Sequence, residues 1–184
     1  MISSNSRTGS FDLPLVYSAI HHANIRKAYI HARDMSHDDT TQNGSILYKP
    51  NTGVVLASAN QYPSGLVVEE YMRERPAKYH FIVCAERNLI YQSAKKGISP
   101  TGMIMYCPFI ACTECAKAIV QSGVKHLIGH ENLMSIVPDR WIDRIQDGIH
   151  ILTSGGVKVE LWKGSAFAPD ENITIKFNGE DFSP

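Results

Sequence analysis

The sequence predicts an α/β fold, a mixed sheet covered by helices on both faces. Three observations carry that expectation. Short β-rich runs alternate with longer helical stretches from residue 81 onward. Before that alternation, two short strand runs flank Pro50-Asn-Thr-Gly53, turn chemistry that makes them a hairpin. Gly97, Gly123 and the pair Gly155-Gly156 stand just past the ends of the helical stretches, where glycine closes a helix at little steric cost.

In chain order, residues 1–12 are rich in Ser, Asn and Gly and are expected to be loose. Residues 13–34 read as a helix, with Val16, Ile20, Ala23, Ala28 and Ile30 among its apolar positions. Residues 36–42 are polar loop, and 45–48 and 54–57 are the hairpin strands. Residues 60–65 form a loop, and the charged stretch 69–78 reads as helical, ended or kinked by Pro76. Then follow a helix at 81–96, a strand at 103–107, a helix at 112–122 and a strand at 124–128. A helix at 139–152, entered by Pro138, and a strand at 157–162 complete the pattern. That makes five strands in one domain, 13–162, with an extension at 163–184 that carries no clear pattern.

Composition bounds the function. A chain of 184 residues, 43% hydrophobic, suits one domain with a full core. A formal net charge of zero argues against a large nucleic-acid surface but leaves room for a pocket that holds one phosphate. No long apolar run and no secretory signal is present, so no membrane association and a cytoplasmic location are expected. In a reducing compartment, four cysteines with a Cys-x-x-Cys among them point to metal rather than disulfides.

Cys84, Cys112 and Cys115 can supply three thiolates to one ion and leave a fourth position open. Three protein ligands and an open site form the catalytic zinc pattern, whereas a structural site closes all four positions. Glu86, two residues past Cys84, is an acid not needed as a ligand, placed to take and return a water's proton. Each cysteine falls near a helix start, where backbone dipoles favour a thiolate. Arg87 either donates to those thiolates and withdraws charge from them, or is a surface arginine. A closed site with Cys107 as fourth ligand is the alternative, but a strand cysteine is more often plain core. Glu114 reads as a solvated or capping residue, and His21, His22 and His31 as solvated or partner-facing.

These residues resemble the cytidine and deoxycytidylate deaminase superfamily, whose signature is His-x-Glu, with Cys allowed first, followed by Pro-Cys-x-x-Cys. The resemblance runs over roughly 13–162 and is nearest to the deoxycytidylate (dCMP) deaminases. It rests on Ser36-x-Asp38 with Gln42-x-Gly44, on Asn60-Gln-Tyr-Pro-Ser-Gly65, on Lys78-Tyr79, on Asn88 and on the stretch 112–125. It departs at Cys84, where that family has His, and at Ala111, where proline is usual. Cys84-Ala-Glu-Arg87 is similar instead to the small nucleoside deaminases.

The resemblance implies a cytidine deaminase-like three-layer α/β/α sandwich with a mixed five-stranded sheet. It implies Zn2+ on Cys84, Cys112 and Cys115, and Glu86 as the proton carrier. It also implies base or sugar contacts from Asn60, a phosphate-end role for Ser36, and a pyrimidine edge held by the backbone of Ala85, Ile110 and Ala111. The expected activity is hydrolytic deamination of a cytosine nucleotide, dCMP to dUMP. The alternatives are a cytidine or deoxycytidine deaminase and an inactive zinc-stabilised binding module. Arg26, Arg73, Arg75 and Lys78 are all possible phosphate partners, and nothing in the sequence selects among them. A homo-oligomer is implied as well.

Overall fold

The computed structural model describes residues 11–184, so the expected loose terminus, 1–12, lies almost wholly outside the described residues. The expected α/β/α sandwich is present, but its mixed sheet has six strands rather than five. The additional strand is β1 (Leu15–Val16), inside the stretch read as helix from residue 13. Helix α1 (Ala19–Met35) starts later because Ser18, in extended backbone, caps it. The Ser18 side-chain oxygen accepts the His21 N–H at 3.3 Å. Leu15 and Val16 suit a strand as well as a helix, and their register opposite Leu161 and Trp162 decides the matter.

The hairpin β2 (Gly44–Lys49) and β3 (Gly53–Ala59) forms as expected. Next come α2 (Lys78–Phe81), α3 (Ala85–Lys95), β4 (Ile104–Tyr106) and α4 (Thr113–Ser122). The alternation closes with β5 (His126–His130), α5 (Glu131–Met134), α6 (Asp139–Ser154) and β6 (Lys158–Trp162). The sheet order is β1-β6-β5-β4-β2-β3, antiparallel around β2 and parallel from β4 to β1.

Alternate residues of each strand serve opposite faces. Leu127 joins Leu89, Ile119 and Ile145 in the core under α3, α4 and α6. Its neighbour Ile128 joins Ile25, Tyr29 and Tyr106 in the core under α1.

Two helical expectations are corrected. The stretch 69–78 is a single 3-10 turn, Glu70–Met72, and then a turn into α2. The helix expected at 81–96 is interrupted, with α2 ending at Phe81 and α3 beginning at Ala85. Between them Val83 exchanges two backbone hydrogen bonds with Gln61, at 2.8 and 3.1 Å, so that segment is extended.

The extension beyond 162 has structure of its own. β7 (Ile175–Phe177) and β8 (Glu180–Phe182) form a hairpin. Its turn, Asn178-Gly179, has positive φ at both residues, 54° and 92°, the backbone that Asn-Gly favours. The hairpin docks on the loop before β2, where Gln42 N–H donates to Lys176 O at 2.8 Å and Gly179 N–H to Thr40 O at 2.7 Å. Phe177 meets Phe109 edge-on, with ring centroids 5.1 Å apart. Among the described residues, no helix is long and apolar enough to cross a membrane.

Candidate metal centre and active site

Cys84 and Cys112 are the N-cap residues of α3 and α4, and Cys115 is the third residue of α4. Side chains at N-cap and N3 meet over a helix start, the geometry that a capping box uses for its hydrogen bonds. Here it brings two thiols together, and the start of α3 supplies the third. The three sulfurs lie within 4.8 Å of one another. Tetrahedral thiolates about 2.3 Å from a zinc ion lie roughly 3.8 Å apart, so the cup has the size of one ion.

Its charge chemistry points the same way. Hydrogen bonds from Cys115 and Cys84 hold the Cys112 thiol far below the usual range. The same contacts push Cys115 and Cys84 above it. A dication at the centre of the group would hold all three as thiolates. Cys107 is not in this group; the Asn43 amide donates to its sulfur at 3.1 Å, and it is plain buried core.

Glu86 sits in the first turn of α3, buried, and lines the same cleft as the thiols. Burial first, and then the negative Cys112, push its carboxyl up to about 7. Of the two readings of Arg87, the contact favours the donor to the thiolates: its Nη2 stands 3.7 Å from Cys84 Sγ, and its Nε is buried without a partner among the described residues. Glu114 pairs instead with Lys117 on the exposed side of α4. His21, His22 and His31 lie on α1, and none belongs to the thiol group.

Asn60 and Ala85 line the cleft, together with Ile110. Asn60 is held on three sides. Its Oδ1 accepts from Ser36 Oγ at 2.7 Å and from Asn43 N–H at 2.9 Å, and its Nδ2 donates to Thr41 O at 2.7 Å. One amide N–H has no acceptor among the described residues. Ser36, expected at the phosphate end, is not among the residues that line the cleft, and its hydroxyl goes to Asn60 instead. Ala111 is buried under α6, where a Cβ built on Gly148 would come within 2.3 Å of its carbonyl oxygen. That close approach needs glycine and presses the strap before Cys112 against α6.

Lys78 is buried, and its ammonium spends its donors on Asp38 Oδ1 and Oδ2, at 2.8 and 2.9 Å, and on Thr40 Oγ1. Asp38 also accepts from the backbone of Thr40 and Thr41, which fixes that loop. Of the other basic residues singled out, Arg26 pairs with Glu171, Arg73 stands 3.7 Å from Asp39, and Arg75 reaches Thr40 and Asn178. Sequence reasoning missed Asn43 and Trp141. Asn43 ties β2 to Phe109 O at 2.9 Å, and Trp141, on α6, walls the cleft. A polar residue just before a strand was a faint signal for the first. Nothing local marked the second.

A cup of three thiols beside a buried acid, at the helix starts of an α/β/α sandwich, has the donor set of a catalytic metal site with one position left open. The chain belongs to the cytidine and deoxycytidylate deaminase zinc-binding family, whose model matches residues 18–131. It is similar to the deoxycytidylate deaminase of Homo sapiens, 30% identical over 99 residues, 50% of this chain and 54% of that protein. It is 39% identical over 75 residues to the deoxycytidylate deaminase of Enterobacteria phage T4, 41% of this chain and 35% of that one. The chain thus spans about half the length, or less, of the curated relatives it matches. The dCMP deaminase of cyanophage S-TIM5, solved in complex with dCMP and dUMP, superposes with a TM-score of 0.61 at 26% identity. That match covers 79% of this chain and 98% of the phage protein.

Proposed function

We propose that this protein is a zinc-dependent hydrolase that deaminates a cytosine nucleotide, dCMP to dUMP with release of ammonia. The observation that carries the reading is a buried acid, Glu86, in the same cleft as the three-thiol cup. The dCMP and dUMP bound to the similar phage deaminase support the substrate class.

Cys84, Cys112 and Cys115 would hold zinc, whose Lewis acidity lets a water lose a proton near neutral pH. Glu86 would carry one proton of the attacking water to the ring nitrogen, where it stays, and then carry the second, given up as the C4 hydroxyl becomes a carbonyl, to the amine as the C4–N bond breaks, so that the carboxylate ends as it began. Asn60 offers its one unspent N–H to the sugar or base, and Ser36 keeps the carboxamide turned that way. The backbone of Ala85 and of the Ile110-Ala111 strap holds the pyrimidine edge. Ile82, Phe109, Trp141 and Ile145 make the cleft apolar and exclude bulk water. Arg87, against Cys84, drains charge from an otherwise electron-rich cup.

That same contact within Cys84-Ala-Glu-Arg87 favours a second reading, deamination of the free nucleoside. Ammonia release from dCMP, deoxycytidine, CMP and cytidine, measured in parallel on protein of known zinc content, decides between them. Turnover of dCMP in preference to the nucleosides is the expected result. Preference for the nucleosides replaces the first reading with the second. Bound zinc with no turnover of any of the four rejects both.

A further inference from the structure

Two guanidiniums meet at the rim of the cleft. Arg75 Nη1 and Arg140 Nη2 both donate to the side-chain oxygen of Asn178, at 3.4 and 2.5 Å. The two nitrogens are therefore less than about 6 Å apart. Two like charges gather here around one neutral oxygen. Among the described residues no carboxylate lies within ion-pair distance of either. All three residues are exposed, and each guanidinium keeps N–H donors that nothing in the described chain uses.

The fold assembles this pair on purpose-shaped supports. Arg75 precedes α2, Arg140 lies in the first turn of α6, and Asn178 sits in the tight β7–β8 turn. The turn is anchored to the cleft wall, since Asn178 N–H donates to Thr41 Oγ1 at 3.3 Å and Arg75 Nη2 reaches Thr40 Oγ1 at 3.4 Å. Thr41 lines the cleft, and so does Trp141, the neighbour of Arg140. Of the other basic residues singled out near the mouth, Lys78 is saturated by Asp38 and Thr40, and Arg73 stands 3.7 Å from Asp39.

We propose that Arg75 and Arg140, braced by Asn178, form the subsite for the 5′-phosphate of the nucleotide. The ligand chemistry is a phosphate monoester dianion at the rim, whose base enters the apolar cleft. A planar fork of donors matches phosphate oxygens better than a lysine does, and a dianion would replace the repulsion of the pair by two charge-assisted contacts. The proposal rests on the nucleotide reading above and gives the C-terminal hairpin a role, since it carries the oxygen that spaces the two arginines.

The test compares Arg75→Ala, Arg140→Ala and the double variant with the parent protein, all zinc-loaded, with Arg26→Ala as a distant control. The ratio of kcat/KM for dCMP to that for deoxycytidine should fall about tenfold for each single variant and roughly a hundredfold for the pair. Arg26→Ala should leave the ratio unchanged. Calorimetric binding of dUMP against deoxyuridine should show the same loss with no turnover involved. If the parent prefers dCMP and the ratio is insensitive to both arginines, the subsite is overturned while the nucleotide reading stands. If the parent does not turn over dCMP, that reading falls, and binding decides the subsite. A dUMP preference that the variants lose retains it, and equal binding of dUMP and deoxyuridine overturns it.

Discussion

The cup draws its three thiols and its acid from two short stretches, 84–86 and 112–115, whereas the rim draws on Thr40, Arg75, Arg140 and Asn178. The cup is largely buried, and its groups shift one another's protonation strongly. The rim is exposed, and its charges face solvent. Chemistry that needs a dry, tightly coupled cluster is thus built at two helix starts, where sequence spacing sets the geometry within each and the fold brings the two together. Recognition of a charged group is left to an open edge where loops, helix and tail meet.

The strongest way to break that contrast is at Glu86. Glu86→Gln keeps the shape of the cup but removes the proton carrier, so turnover should drop about 10²–10⁴-fold with zinc content unchanged. Survival of activity within tenfold would place the proton transfer elsewhere. Lys78 lies between cup and rim and tests whether that boundary is structural. Lys78→Ala leaves Asp38 buried without its cation and should cost about 3–5 kcal/mol in chemical denaturation. A loss under about 1 kcal/mol would mean the pair behaves as a solvated one.

His130, on the far face of the sheet, supplies a reference that touches neither region. The Tyr29 hydroxyl donates to its Nδ1 at 2.6 Å, and its Nε2–H donates to Gly164 O at 2.8 Å, so the buried ring is neutral. Burial pushes its pKa down to about 4 from the usual 6.5. The unfolded chain therefore binds the proton first as pH falls. The contribution of the neutral ring is intact above 6.5 and fades toward 4, about 3 kcal/mol over that window. Unfolding midpoints across those pH values should follow this slope in the parent and flatten in His130→Gln. The smallest effect expected is at Gly148→Ala, where the added carbon meets the Ala111 carbonyl at 2.3 Å. Overpacking of that kind costs about 1–3 kcal/mol, and zinc retention would show whether the strap before Cys112 moves with it.

Parts of the fold were legible and others were not, for reasons that lie in particular residues. The β2–β3 hairpin and the helices closing at Gly123 and Gly155 followed from turn and cap chemistry. Ser18 as a cap and Asn178-Gly179 as a hairpin turn were equally local signals, and each marks an element the pattern reading did not resolve. The extended Ile82–Cys84 segment had no such marker, because its partner, Gln61, lies outside any named strand.

The sequence by itself determined the two halves of the cup, Cys84 with Glu86 and Cys112 with Cys115, since spacing along a helix start is a local property, and the alternation of strands and helices that makes the sandwich. Only the tertiary structure decided which charges are free. Arg75 and Lys78 stand three positions apart, both basic. One is spent inside on Asp38, the other is turned outward toward Arg140 and Asn178. A charge is available only if no partner elsewhere in the chain neutralises it, and the partner that spends Lys78, Asp38, is brought to it by folding rather than by spacing.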